Sequence, residues 1–246
     1  MKLFAYILSA IYYLVFGLIL VIFHLIQWVC FNVFGYQAHK KSVDILNFFL
    51  LKTLLFLGSG VRFENKFASQ LKKNTTYIIV ANHQSMYDIP PIIWYLRKLH
   101  PKFISKKELG KGIPSISYNL RHGGSVLIDR KDPRQSLTAI KEFSNYLNKT
   151  KHSAVIFPEG TRSRTGKPKA FSPNGLLMLF KNCPDAEILP VTINNSWKLQ
   201  RYGSFPLGIG VGVNIKVQEP IPIKDRDPKE LLQLVEEAVT KDIVNK

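Results

Sequence analysis

The sequence predicts an α/β fold with a mostly parallel central sheet flanked by helices, and three observations carry that prediction. Short β-prone runs such as 77–81 and 153–157 alternate along the chain with segments of helical spacing. Polar side chains follow several of these runs directly, as they do at the carboxyl edge of a parallel sheet. A long apolar stretch adds an N-terminal hydrophobic, membrane-anchoring helical segment. We therefore divide the chain into anchoring helices, 1–58, and an α/β domain, 59–246.

The apolar stretch carries no Lys, Arg, Asp or Glu from Leu3 to Ala38. It is too long for one upright membrane helix of about 20 residues and short for two full crossings. We expect one span that continues into an interfacial helix, or a re-entrant pair. A secretory signal peptide is the rival, but no small-residue cleavage site is evident. The basic run 39–41 would mark a cytoplasmic flank, and residues 42–58 predict a helix at the membrane interface or packed on the domain.

The composition points to an anionic partner. The 246 residues include 34 Lys+Arg against 17 Asp+Glu, a formal net charge of +17. Nucleic acid, an anionic membrane surface or a phosphate-bearing ligand would complement this excess. The aromatic residues are not interleaved with the basic ones as base stacking requires, so no nucleic acid is expected. Cys30 and Cys183 lie in different contexts, so no disulfide is predicted, and no Cys/His cluster has metal-ligand spacing.

The domain contributes alternating strands and helices. Strands are predicted at 61–67, 77–81, 103–105, 125–130, 153–157, 188–193 and 211–217, because these runs are apolar, β-prone and bounded by turn residues. Residues 89–96 predict a helix with prolines in its first turn, where no backbone N–H is needed. Asp132 predicts the N-cap of a helix that starts at Pro133. Residues 175–181 predict a short apolar helix, and Asp227 caps a C-terminal one.

The strand 77–81 stops abruptly at Asn82 and His83, and Asp88 follows five residues after His83. An irregular first turn would let the Asp88 carboxylate reach one ring nitrogen of His83. The other nitrogen would then be a base facing a substrate hydroxyl. The alternative is a capping Asn and a structural His. Ser85 is too close to His83 for a nucleophile and lacks a nucleophile-elbow pattern, so we interpret it as a turn or capping residue.

Two further strand ends present polar groups, Asp129 with Arg130 and the segment Glu159 to Arg162. Since strand carboxyl ends share one edge, these clusters can converge with His83. The set of cations indicates deprotonation of a hydroxyl on a phosphate-bearing substrate; its members are Lys106, Lys107, Arg130 and Arg162. Gly160 allows close backbone approach to an anion. The alternative is a plain β-turn with a solvated Arg162. The other histidines are interpreted as surface or packing residues: His24, His39, His100, His122 and His152.

Four segments resemble, in order, the motifs of the 1-acylglycerol-3-phosphate O-acyltransferases of the wider glycerolipid acyltransferase superfamily. They are the His-x4-Asp segment 82–88, the segment 124–130, the segment 157–163 with Pro-Glu-Gly-Thr-Arg, and the looser 189–193. The resemblance covers roughly residues 60–220. Each motif is weak or moderate alone, whereas four in order at the expected intervals are specific.

The resemblance implies a direct acyl transfer without an acyl-enzyme. His83, oriented by Asp88, would deprotonate the sn-2 hydroxyl of lysophosphatidic acid, which attacks the thioester of acyl-CoA or acyl-carrier protein. The glycerol phosphate would be held by Arg130, Glu159, Gly160, Thr161 and Arg162, with Lys106 or Lys107 helping. Pro190 and its neighbours would line the acyl or donor side. No other cofactor and no metal are implied.

The resemblance places the enzyme on a membrane, the inner membrane in a bacterium, with the catalytic domain on the cytoplasmic side. The partners are then a lysophospholipid, the thioester donor and an anionic membrane surface. One alternative is the same chemistry on another acceptor, a lyso-aminolipid or glycerol 3-phosphate. Another is a basic membrane-tethered binding protein without turnover.

Overall fold

The computed structural model describes residues 2–244, and an eight-stranded sheet forms the centre of this part of the chain. The strands are β1 (Gly60–Asn65), β2 (Tyr77–Ala81), β3 (Pro101–Lys106), β4 (Val126–Ile128), β5 (Ser153–Ile156), β6 (Glu187–Asn194), β7 (Gly212–Val217) and β8 (Ile221–Pro222). The helices are α1 (Lys2–Thr53), α2 (Ile89–Tyr95), α3 (Ile116–His122), α4 (Pro133–Thr150), α5 (Pro173–Asn182) and α6 (Pro228–Thr240).

The strands lie in the order β1-β7-β6-β2-β5-β3-β4, and β8 pairs with β6. The five strands from β6 to β4 are mutually parallel. β7 and β8 are both antiparallel to β6, and β1 is parallel to β7, so these three strands run against the other five. The mostly parallel sheet is thus confirmed, with the reversed strands on the β6 side.

Both faces of the sheet are buried, which explains why β2 is a continuous apolar run and not an alternating one. Ile79 faces the core shared with α1 and α2. Its neighbours Ile78 and Val80 face the core formed with α4, α5 and α6. The predicted N-caps are confirmed: the Asp132 carboxylate accepts from Gln135 N, and that of Asp227 accepts from Lys229 N and Glu230 N.

The N-terminal helix α1 breaks at Gly35, whose φ of 80° and ψ of −173° are non-helical and accessible to a residue without Cβ. Residues 2–34 and 36–53 form two antiparallel arms; Phe23 and Phe49 pack across them with ring centroids 5.8 Å apart. We call these arms the hairpin. The first arm still holds nearly all of the apolar stretch and is longer than one upright span of about 20 residues.

The first arm of the hairpin lies along the domain over most of its length. Ser9 Oγ accepts from Leu207 N at 2.8 Å, and Leu20 O accepts from Ser115 Oγ at 2.7 Å. Asn32 Nδ2 donates to Tyr118 Oη at 3.1 Å. Tyr12, Leu54 and Leu57 belong to the same hydrophobic core as Ile79. Residues on both sides of the predicted boundary at 58/59 therefore share one core.

One helix has no counterpart in the expectations from sequence. α3 follows a loop and spans only seven residues, too short for a helical period to be seen. Its N-terminal neighbour Ser115 has a φ of 60°, and its hydroxyl donates to Leu20 O of the hairpin. This turn is therefore stabilised by a contact far away in sequence.

Candidate active site

Asn82 connects the carboxyl end of β2 to β6. Its side-chain Nδ2 donates to Ile193 O at 2.8 Å, and Ile193 N donates to Asn82 Oδ1 at 2.7 Å. The amide thus continues the sheet's hydrogen bonding by one residue and fixes where His83 leaves the strand. The residue is structural, as expected of a capping Asn.

His83 and Asp88 are paired as the spacing predicts. His83 Nδ1 lies 2.8 Å from Asp88 Oδ2, and the Asp88 side chain is fully buried. The same Oδ2 accepts from Gln84 N at 2.7 Å and from Ser85 N at 2.9 Å, so backbone N–H groups compensate its burial. These bonds require the tight 3₁₀ turn Met86–Asp88, which is the irregular turn expected from the sequence.

Ser85 caps this turn. Its Oγ accepts from Tyr87 N at 3.1 Å, which confirms the interpretation of Ser85 as a capping residue. Sequence reasoning missed a second serine, Ser196, whose Oγ donates to Asp88 Oδ1 in a fully buried contact. Nothing near Ser196 in the sequence indicates this role, because the contact joins residues 108 positions apart.

The ring of His83 is held in one orientation. It stacks on Phe157 with centroids 4.2 Å apart, and the side chain retains 18% exposure. Because Asp88 accepts only, Nδ1 carries the proton in the neutral ring and Nε2 is left as an acceptor. A partly exposed, oriented nitrogen of this kind can remove a proton from a substrate hydroxyl.

The segment 157–163 wraps around His83 through Glu159. One carboxylate oxygen of Glu159 accepts from His83 N at 2.9 Å, and the other accepts from Lys169 N at 3.1 Å. Burial raises the pKa of Glu159, while the two N–H bonds oppose that rise. A buried carboxylate committed to two backbone N–H groups is a poor phosphate ligand, so we assign Glu159 to holding this loop.

The remaining residues of that loop lie at the sheet edge, where Arg130 and Arg162 offer hydrogen-bond donors. Gly160 has a φ of 68°, and its carbonyl accepts from Arg130 Nη1. Thr161 Oγ1 accepts from Lys169 Nζ at 2.7 Å, and Arg162 Nη1 donates to Gln200 Oε1 at 3.2 Å. Arg130 and Arg162 are both exposed, and each guanidinium group keeps most of its five donors free.

The two lysines of the expected phosphate set differ. Lys107 Nζ forms an ion pair with Asp129 at 2.8 Å, which raises the pKa of Lys107 and lowers that of Asp129. Lys106 is the exposed last residue of β3, at the same sheet edge as His83. Lys106 is thus the more available of the two for a substrate anion.

Pro190 does not lie at this edge. It is buried within β6 in register with Val80 of β2, three residues before His83. Its motif supplies interior packing, and a place for Pro190 on the acyl or donor side stays a prediction. From the same strand, Ile193 reaches the site through Asn82, and Ser196 follows beyond the strand end.

Two cavities flank His83 along the edge. One, of about 340 Å³, is lined by Gln84 and Trp197 and by three arginines, Arg162, Arg164 and Arg201. The other, of about 300 Å³, is mainly apolar and lies towards α4 and α5, with Phe157, Gly160 and Arg130 on its rim. None of the ion pairs among residues 2–244 uses the three arginines of the first cavity.

The described residues contain no group of three or more His, Cys, Asp or Glu that could hold a metal ion. Cys30 and Cys183 are both free thiols. The polar groups at the site are those of base catalysis and anion binding.

Comparison with known proteins agrees with this chemistry. The sequence profile of the family described as Acyltransferase matches residues 61–194. A 1-acyl-sn-glycerol-3-phosphate acyltransferase of Helicobacter pylori is 35% identical over 133 residues, which are 53% of this chain and 52% of that protein. One of Saccharomyces cerevisiae is 25% identical over 189 residues, 75% of this chain and 55% of its own length. The chain thus spans about half the length of these curated relatives.

A solved structure resembles nearly the whole chain. The crystal structure of the 1-acyl-sn-glycerophosphate (LPA) acyltransferase PlsC from Thermotoga maritima superposes with a TM-score of 0.75 and 26% identity. The match covers 96% of this chain and 93% of that one, so it includes the hairpin as well as the sheet.

Proposed function

Because this chain belongs to the acyltransferase family, we propose that it transfers a fatty acyl group from an acyl thioester to the sn-2 hydroxyl of 1-acylglycerol 3-phosphate. The product is phosphatidic acid. The observation that carries the proposal is the His83–Asp88 pair, held at 2.8 Å beside two exposed arginines. The relatives and the solved structure are named for the same acceptor, which supports this choice over other lysolipids.

The transfer needs one base and no covalent enzyme intermediate. Nε2 of His83 takes the proton of the acceptor hydroxyl as its oxygen attacks the thioester carbonyl carbon. Asp88 stabilises the imidazolium that forms. When the tetrahedral intermediate collapses, the C–S bond breaks and the thiolate takes the proton back from His83. Ser196 and two backbone N–H groups keep the Asp88 carboxylate in place throughout.

The acceptor phosphate binds to the exposed cations at this edge. Arg162 has free donors and lines the arginine-rich cavity, so we assign it the leading contact. Arg130 also holds the Gly160 carbonyl and thereby shapes the turn next to the base. Thr161 and Lys106 complete the set, whereas Lys107 is already paired with Asp129.

The proposed function is tested by thioester release with a panel of acceptors. Wild type should release thiol with 1-acylglycerol 3-phosphate faster than with glycerol 3-phosphate or a lyso-aminolipid. His83→Ala should lower the rate by about 10²–10⁴-fold. Arg162→Gln should raise KM for the phosphate-bearing acceptor, while Arg62→Gln, at an exposed position of β1, serves as the matched control. Equal rates for wild type and His83→Ala would remove the assignment of the base.

We further propose that the hairpin attaches the enzyme to a membrane. α1 with the turn after it, Leu3–Leu57, is the one helix among the described residues long and apolar enough to cross a membrane. Its first arm exposes a row of large apolar side chains that includes Leu3, Phe4, Leu14, Leu18, Leu25, Trp28, Val33 and Phe34. The contacts from Ser9 to Asn32 with the domain support an arm that lies in the plane of one leaflet.

Membrane attachment is tested by flotation with vesicles of phosphatidylcholine and phosphatidylglycerol. Replacing Leu14, Leu18 and Leu25 by Ser should reduce vesicle binding, because three exposed apolar side chains are lost. A cleavable tag at the N-terminus should be accessible from the same side of sealed vesicles as the loop at 70–75. Cleavage only from the opposite side would indicate a spanning helix and contradict the in-plane arrangement.

A further inference from the structure

A second polar cluster lies at the opposite end of the sheet, where β3 and β4 begin. We call it the amino-edge cluster; its members are His39, Lys40 and Asp44 of the hairpin, His100 and Lys102 at β3, and Ser125 before β4. These side chains line one cavity of about 20 Å³. The cluster joins the second arm of the hairpin to the domain and has no part in the acyl transfer.

Lys102 is the exceptional member of this cluster. Its side chain is 6% exposed, yet among residues 2–244 no acceptor lies within hydrogen-bonding distance of Nζ. Nζ lies 5.2 Å from the centroid of the Tyr36 ring. Burial lowers the pKa of Lys102 to about 8, so the group is still mostly protonated at neutral pH. A largely desolvated lysine that forms none of the ion pairs among residues 2–244 is costly.

The carboxylate in the cluster cannot supply that counter-charge alone. Asp44 is already paired with Lys40, which also donates to Arg97 O at 2.9 Å. The two lysines and one aspartate leave one positive charge in excess. This excess favours an anion in the cavity and excludes a cation.

Further donors converge on the same cavity. His39 is fully buried, and within the described part of the chain neither ring nitrogen has a hydrogen-bond partner. The buried Nδ1 of His100 is likewise without one. Each neutral imidazole has one N–H to donate. Ser125 Oγ accepts from Phe103 N, so its own hydrogen is available as well.

We propose that the amino-edge cluster binds one small monovalent anion of halide size, held by Lys102 and His39. A cavity of about 20 Å³ holds little more than one water-sized group, so a small anion fits it better than a phosphate or a carboxylate ligand. The anion fastens the hairpin to the domain, because its ligands come from both. The site is independent of the proposed acyl transfer.

Thermal unfolding of the full chain in detergent tests the site. Sodium bromide should raise Tm in a saturable way, by about 2–4 °C, relative to sodium gluconate at equal ionic strength, since gluconate is too large to enter. Lys102→Met should abolish the difference between the two salts. Lys98→Met, which removes an exposed charge nearby, should retain it. An equal response of wild type and Lys102→Met to bromide would overturn the proposal.

Crystals grown in bromide give an answer that does not depend on any variant folding. An anomalous peak should lie within hydrogen-bonding distance of Lys102 Nζ and a ring nitrogen of His39. A site without anomalous signal, filled by water, would overturn the proposal. Acyltransferase activity of the same preparation in both salts reports separately on the proposed function.

Discussion

Each end of the sheet holds a histidine near a charged side chain, His83 with Asp88 and His39 with Lys102, but the two charges are stabilised differently. At the carboxyl edge, the Asp88 carboxylate accepts from His83, Ser196 and two backbone N–H groups, so the charge is satisfied within the protein. At the amino edge, the ring nitrogens of His39 and Nδ1 of His100 have no partner among the described residues, and Lys102 forms none of the ion pairs there. At the reactive site, protein groups already satisfy the charge of the Asp88 carboxylate. At the amino edge, the excess of hydrogen-bond donors fits the proposed binding of an anion from solution.

The largest effect is expected from removing the charge that orients the base. Asp88→Asn can keep its oxygen on His83 Nδ1–H and turn its amide towards Ser196, so the fold should be retained. The imidazolium would lose its counter-charge, and kcat should fall by about 10²–10³-fold. Steady-state kinetics measures the fall in kcat, and an unfolding curve of the variant checks that the fold is retained. A rise in KM with kcat unchanged would show that the carboxylate acts on binding.

Lys102 should give a pH-dependent stability that the carboxyl edge does not produce. Its pKa is about 8 in the folded chain against an ordinary 10.5. Between these values the unfolded chain binds more protons, so the free energy of unfolding should rise with pH by about 3 kcal/mol in gluconate. The charged and titratable groups around Lys102 are Lys40, Asp44, Tyr36, His39, His100 and His152.

Chemical unfolding from pH 7 to pH 10.5 measures this rise, and Lys102→Met should lack it. In bromide the rise should begin at higher pH, because a bound anion favours the ammonium. Identical profiles for wild type and Lys102→Met in gluconate would mean that this lysine is not desolvated, and the contrast between the two edges would disappear.

Ser196 should give the smallest of the three effects. Ser196→Ala removes one donor from Asp88 Oδ1 and leaves the backbone donors in place, so kcat should fall about tenfold with little change in KM. The acidic limb of the pH–rate profile, where the base becomes protonated, should also shift, which a purely structural role would not cause. Ser144→Ala is the matched control: it removes a buried hydroxyl that donates to Ile140 O away from the site, so it should lower stability without changing kcat.

The sequence predicts the His83–Asp88 pair because both partners lie within one turn that comes after a recognisable strand. The alternation of strands with helices and the N-caps at Asp132 and Asp227 also depend on residues close together in the sequence, and both are confirmed. Ser196 and the amino-edge cluster could not be predicted, because their contacts join residues far apart in the chain. The histidines interpreted as ordinary packing residues show this best: His39, His100 and His152 meet only after the hairpin folds onto β3.

The reversal at Gly35 fixes the register of the whole first arm. Ser9 and Leu20 touch the domain at separated points along one helix face, and the exposed Leu14, Leu18 and Leu25 lie on the opposite face. One inserted residue would rotate the part of the arm on its N-terminal side by about 100° relative to the part on its C-terminal side. Either the polar contacts or the exposed apolar row would then be misplaced. This arm should therefore accept many substitutions among apolar residues, and hardly any change in its length.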